Sequence, residues 1–300
     1  PAVAAGATFA AGKFDQVERD IPYAALAAAL EMVVRRRLAE PEAAWLGWRA
    51  RIAAALGPAA RLVCELVPGL GALLGPQPPV PDMPPAESAQ RFQGLMLRLV
   101  RALAAPGRPL VLVLEDLQWS DAATLQLVEL LLGSGELPHL LILGTVRDDE
   151  PGPLHPVIRL AAALAAESIA LGPLALGETA ALIAATLSWS LEQVEPLARL
   201  VHERTEGNPL FVRSLLRWLH EQGLLRFDLE AGAWTWDAER TRVTSPGDDL
   251  GALLTRKLGG LSPSTRAALE LAACIGNRFA PRRLAEIGRA SCRERVCYVV

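Results

Sequence analysis

Residues 109–121 read PLVLVLEDLQWSD, where five consecutive aliphatic residues, Leu110 to Leu114, end on two adjacent acids, Glu115 and Asp116. A short, unbroken apolar run bounded by proline on one side and charge on the other has the pattern of a strand buried on both faces of a parallel sheet. In open parallel sheets ligands bind beyond the carboxyl ends of the strands, and Glu115 and Asp116 stand at that end. Two neighbouring carboxylates there are costly unless a cation or a polar network receives them. The pair could be only the polar mouth of a loop, but the residues that follow favour a site.

Downstream, Ser120 and Asp121 precede a helical stretch from Ala122 to Leu132, so one of them is expected as its N-cap, with Trp119 as a packing residue. A second apolar run, HLLILGTVRDDE (139–150), ends near Arg147. A guanidinium at that height beside the acids could reach a terminal phosphate; alternatively it pairs with Asp148, Asp149 or Glu150. A helix from His155 to Ala166 leads to a weaker strand, SIALGPL (168–174). Strands alternating with helices imply right-handed crossovers and an α/β fold with a parallel sheet.

Upstream, apolar residues recur at helical spacing from Pro22 to Leu74, a proline-rich linker occupies residues 75–85, and a further helix runs from Glu87 to Leu103. A phosphate-binding loop needs GxxxxGK[ST], so that backbone N–H groups and a lysine surround the phosphates. The one candidate, GATFAAGKF (6–14), has one residue too many between Gly6 and Gly12 and carries Phe14 where a hydroxyl is needed. No strand is expected before it, and Lys13 is not expected to be a phosphate ligand.

Beyond Gly177 helices predominate. Gly207, Asn208 and Pro209 form a turn between two of them, with Asn208 as N-cap and Pro209 at the first helical position. LLRFDLEAGAWTWD (224–237) alternates around a glycine turn and is expected as a hairpin; helical patterns return at 251–261 and 263–276. A hairpin among helices suggests a winged-helix-like unit. The expected organisation is an α/β core over 1–176, a helical lid over 177–215, a winged-helix-like region over 216–286 and a tail over 287–300.

The 300 residues are 51% hydrophobic and 21% charged, enough apolar material for a buried core. A net charge of −3 offers no general attraction to nucleic acid or anionic membrane. Cys64, Cys274, Cys292 and Cys297 form no CxxC pair, which fits a reducing cytoplasm and no zinc site. No stretch is long and apolar enough to span a bilayer. The beginning lacks an initiator methionine and a basic leader, as a cut end would. IGRASCRERV (287–296) matches the translation of a common sequencing-library adapter, so the tail from Ile287 is expected to be adapter-encoded rather than selected to fold.

VLVLEDLQWSD, LLILGTVRDDE and TEGNPLFV, in this order and spacing, resemble the Walker B, sensor 1 and GNP motifs of STAND-class AAA-like P-loop ATPases. The flanks GKFDQVERDIPYAAL, EQGLLRFDLEAGAWTWD and LAACIGNRFA resemble the ATPase segment of bacterial signalling proteins that join a serine/threonine kinase-like domain, this ATPase and a sensor histidine kinase. The resemblance runs from about Phe9 to Glu286 and implies a P-loop NTPase sheet that is N-terminally truncated, its first strand and phosphate loop missing. By the same resemblance Glu115 takes the Mg²⁺ position, although aspartate is commoner there. Asp116 takes the catalytic-base position and Arg147 the sensor position, and Gly207, Asn208 and Pro209 lie near the base of ATP.

The implied function is an ATP-binding, ATP-hydrolysing switch that works with Mg²⁺, has ATP and ADP as its ligands and is coupled to adjoining kinase or sensor domains of the same polypeptide. Without a phosphate loop the chain itself is expected to be nearly inactive. The alternative is a non-enzymatic winged-helix regulator that binds a protein partner or DNA. DNA is disfavoured because Arg217, Arg226, Arg240 and Arg242 are matched by Glu221, Asp228, Glu230, Asp237 and Glu239.

Overall fold

The computed structural model describes residues 6–16, 21–81, 83–147, 155–244, 258–259 and 261–275. By contact the chain divides into two compact units, essentially Pro1–Glu167 and Ser168–Leu271.

The first unit is built on a three-stranded sheet in the order β1 (Thr8–Lys13), β2 (Leu110–Glu115), β3 (Leu140–Gly144), all parallel. The apolar run Leu110–Leu114 lies in the central strand. Leu110, Leu112 and Leu114 are fully buried and Val111 nearly so, which explains why β2 has no polar position before Glu115. Between β1 and β2 the chain forms α1 (Ala24–Leu38), α2 (Glu42–Leu56), α3 (Ala60–Leu66), α4 (Pro68–Leu74) and α5 (Pro85–Leu103). In α5 the apolar residues recur on one face, and Leu95, Met96, Leu99, Val100 and Leu103 are all buried. They share a core with Leu26 and Leu30 of α1, Ile52 of α2, Leu70 and Leu73 of α4, and β2. Each fully buried leucine contributes roughly 1.5–3 kcal/mol. Helix α6 (Ala122–Gly133) crosses from β2 to β3, and α7 (Pro156–Ala163) follows β3.

One strand of this unit was not expected from the sequence: Thr8–Lys13, within GATFAAGKF, is itself β1, in register with Leu110–Glu115. Its small residues serve close packing, since a Cβ on Gly12 would stand 2.0 Å from the Ala25 carbonyl oxygen of α1. An extended strand cannot wrap a phosphate, so the failed GxxxxGK[ST] spacing has a structural counterpart.

The second unit begins with a correction. SIALGPL is not a strand; Ile169 and Leu171 are 78% and 93% exposed. A strand is stable only with a hydrogen-bonded neighbour, and among the described residues none pairs with this segment. Beyond it come α8 (Leu176–Leu187), α9 (Leu191–Thr205) and α10 (Pro209–Glu221), then the expected hairpin of β4 (Leu225–Asp228) and β5 (Ala233–Trp236), α11 (Ala238–Thr244) and α12 (Pro263–Ile275). Ile183, Val194, Leu197, Val201, Val212, Leu215 and Leu219 make the core of the three leading helices. The hairpin is fastened at both sides. Asp237 N–H donates to the Leu224 carbonyl over 2.9 Å, and the Trp236 indole donates to Thr241 Oγ1 over 2.9 Å. The helix expected over 251–261 falls almost wholly outside the described residues, and so do the end of the winged-helix-like region and the adapter-like tail.

Among the described residues, no helix is long and apolar enough to cross a membrane.

Candidate functional site

The carboxyl ends of the three parallel strands bring together residues that lie far apart in sequence. Glu115 is the last residue of β2, and the register sets it directly across from Lys13, the last residue of β1. Asp116 then turns the chain out of the sheet through a left-handed conformation, φ 58° and ψ 46°, which aspartate tolerates better than most residues. The turn is held from β3. Asp116 N–H donates to Thr145 Oγ1 (3.1 Å), Leu117 N–H to the Thr145 carbonyl (2.9 Å), and Thr145 N–H to the Leu114 carbonyl (2.9 Å).

The turned Asp116 carboxylate meets Lys13, with Nζ 3.0 Å from Oδ2. Glu115 has no side-chain partner among the described residues. Lys13 is the residue that sequence reasoning set aside. Its signal was present in the register of GATFAAGKF against PLVLVLE, which is visible only once the segment is recognised as a strand.

Gln118 and Arg147 complete this end of the sheet. Gln118 is 5% exposed, and its Oε1 accepts from the Arg147 backbone N–H at 3.4 Å. Its Nε2 is buried without a hydrogen-bond partner among the described residues. The backbone at Arg147 is thus tied to the loop that carries the acids, and the Arg147 side chain is exposed. The alternative partners of Arg147, Asp148 to Glu150, lie outside the described residues.

Asp121 is the N-cap that the sequence suggested. Oδ1 accepts from Thr124 N–H (2.8 Å), and Oδ2 accepts from Thr124 Oγ1 (2.5 Å) and from Tyr23 N–H at the start of α1 (3.3 Å). Asp121 therefore joins two helices. Burial, and secondarily the Asp121 charge, push the Tyr23 hydroxyl above its ordinary pKa. Trp119 lines a small cleft with Lys13, Ile21 and Asp121 and packs against the core.

Gly207, Asn208 and Pro209 belong to the second unit, where their local roles are plain. Gly207 has φ 75°, and a Cβ there would stand 2.0 Å from the Leu174 carbonyl oxygen. The Gly207 carbonyl accepts from Leu174 N–H at 2.9 Å, so only glycine permits the approach. Asn208 caps α10, its Oδ1 accepting from Leu210 N–H (3.0 Å) and Phe211 N–H (3.4 Å), and Pro209 is the first helical residue.

The donor set at the sheet end fits Mg²⁺. Two carboxylates are hard oxygen donors, and Mg²⁺ commonly takes one or two of them together with waters and phosphate oxygens. Among the described residues no cluster of three or more His, Cys, Asp or Glu offers a protein-only cage. The arrangement suits a cation that comes with a polyphosphate.

Comparison with known proteins points the same way. The hybrid signal transduction histidine kinase G of Dictyostelium discoideum is 25% identical over 94% of this chain and 10% of its own length, so the chain spans about a tenth of that relative. No solved structure matches the chain. Residues 1–143 match the family model of the AAA ATPase domain. With the parallel sheet and its acid-tipped central strand, the match over residues 1–143 makes this part of the chain similar to AAA ATPase domains.

Proposed function

We propose that the chain is part of an ATP-binding, ATP-hydrolysing switch of the STAND class within a larger kinase-type regulator. The observation that carries this reading is the pair Glu115–Asp116 at the carboxyl end of a buried central strand, with Lys13 and the backbone of Arg147 fixed around it. In this reading β2 with its two acids is a Walker B strand. Glu115 holds Mg²⁺, which would neutralise charge on the phosphates. Asp116 orients the attacking water and accepts its proton, and Arg147 reports the terminal phosphate through its guanidinium. Gly207, Asn208 and Pro209 are the residues expected to contact the base of ATP. The β4–β5 hairpin is read as part of a winged-helix-like region over 216–286 that would pass the nucleotide state to adjoining kinase or sensor domains.

A GxxxxGK[ST] motif is not among the 300 residues, and such a loop supplies most phosphate binding in these ATPases. The chain by itself is therefore expected to bind Mg·ATP weakly and to turn it over very slowly. The test is a Mg·ATP titration followed by thermal shift and phosphate release. Weak stabilisation that requires Glu115, with residual turnover abolished in Asp116→Asn, supports the reading. Turnover at an ordinary rate that ignores Asp116→Asn places the chemistry elsewhere and sinks it, as does a chain indifferent to Mg·ATP at every concentration.

A further inference from the structure

Lys13 belongs to no phosphate-loop pattern, yet its ammonium lies 3.0 Å from Asp116 Oδ2 and its backbone pairs in register with Glu115. Asp116 therefore already has a counter-ion, whereas Glu115 has no side-chain partner among the described residues. A divalent cation held by Glu115, the register partner of Lys13, must either sit near the Lys13 ammonium, where like charges repel, or displace it from Asp116.

Displacement is feasible because the pair is accessible. The Lys13 and Asp116 side chains are 43% and 22% exposed, and a pair of that kind is a weak tether. The flexible four-carbon stem of lysine lets its charge swing to a new acceptor, and a phosphate oxygen is the acceptor that lysine serves well as a point charge.

We propose that Lys13 is an exchangeable counter-ion of this site: it holds Asp116 until Glu115 receives a divalent cation together with a polyphosphate, then leaves Asp116 and moves to a phosphate oxygen. The proposal rests on the metal-and-phosphate reading of Glu115 and Asp116. It adds a positioning residue that the motif spacing excluded. It also makes the site selective, since a bare cation must compete with Lys13 whereas a cation–polyphosphate complex gives Lys13 a new partner.

The test uses the full 300-residue chain, with Mn²⁺ as the probe, titrated by electron paramagnetic resonance alone and as its complex with inorganic triphosphate. For Mn²⁺ alone, Lys13→Met is expected to bind about two- to five-fold more tightly than the unaltered chain, the range set by a partly exposed ion pair. Lys13→Arg, which keeps the counter-ion, should match the unaltered chain. For the triphosphate complex the order should reverse, with Lys13→Met the weaker binder. A Lys13→Met chain that binds bare Mn²⁺ no more tightly, or the complex no more weakly, overturns the proposal. Glu115→Gln separates the two levels. Mn²⁺ binding that depends on Glu115 but ignores Lys13 defeats the counter-ion role alone, and binding indifferent to Glu115→Gln defeats the metal reading and this proposal together.

Discussion

At the scale of single residues, Gln118 and Gly207 show opposite ways in which a position is constrained. Gln118 buries an amide whose Oε1 has a long hydrogen bond from Arg147 and whose Nε2 has no partner among the described residues. An unpaired buried donor costs about 1–3 kcal/mol, more than one long hydrogen bond returns. Gln118→Met, similar in volume and without the donor, should therefore leave stability to urea unchanged within about 1 kcal/mol or raise it. A loss above about 2 kcal/mol would show that Nε2 is satisfied after all. Gly207 tolerates nothing larger, because both its positive φ and the Leu174 carbonyl oppose a Cβ. Gly207→Ala should cost the second unit about 2–4 kcal/mol, combining left-handed strain with overpacking. Urea unfolding followed by fluorescence of Trp218, which is buried in that unit's core, should report the loss.

At the scale of elements, Asp121 fastens the start of α6 to the start of α1, and it does so beside the candidate site. Asp121→Ala should cost about 1–2 kcal/mol in urea, at the upper end of N-cap losses because Thr124 Oγ1 loses its acceptor and Tyr23 N–H keeps only Thr124 Oγ1, at 3.2 Å. The Tyr23 side chain adds a pH dependence. Burial and the Asp121 charge raise the Tyr23 pKa above the ordinary 10.0, so folding favours the protonated phenol. Its contribution is fully present below pH 10.0 and is lost as pH rises through the raised value. Alkaline unfolding should begin at higher pH in Tyr23→Phe than in the unaltered chain; identical alkaline limbs would refute the assignment. Elements of this kind were largely legible in the sequence. The LVLVL run gave β2, the acid after it gave the Asp121 cap, and EGNP gave the turn into α10, since each is fixed by neighbours within a few residues. Register was not legible. Whether Thr8–Lys13 is a strand depends on β2, about a hundred residues away, and with that pairing hidden the Lys13–Asp116 contact could not be foreseen. SIALGPL failed for the converse reason: its apolar alternation was real, but a strand exists only where a partner strand lies alongside.

At the scale of the whole molecule, the sheet is closed unequally. Central β2 is buried on both faces, while on β3 Leu141 and Leu143 remain 51% and 47% exposed. The hydrogen bonds from Leu110 N–H to the His139 carbonyl and from Thr145 N–H to the Leu114 carbonyl turn the odd-numbered residues of β3 toward β2. By the alternation of a parallel ladder, the backbone groups of Ile142 and Gly144 point away from β2, and among the described residues no strand pairs with them. Apolar side chains beside unpaired backbone are a template for adding another strand, and natural edges are usually blunted by charge or by cover. The net charge of −3 gives little long-range repulsion against such pairing. The isolated chain should therefore self-associate as concentration rises. Leu141→Lys with Leu143→Lys should suppress this at a cost in stability below about 1 kcal/mol, because both side chains already keep half their surface in water. Light scattering against concentration, paired with urea unfolding, tests both halves. Unchanged association in the double variant would place the sticky surface elsewhere, with exposed Ile169 and Leu171 as the next residues to replace. A large loss of stability would instead show that Leu141 and Leu143 are packed in solution, so that β3 is covered rather than open.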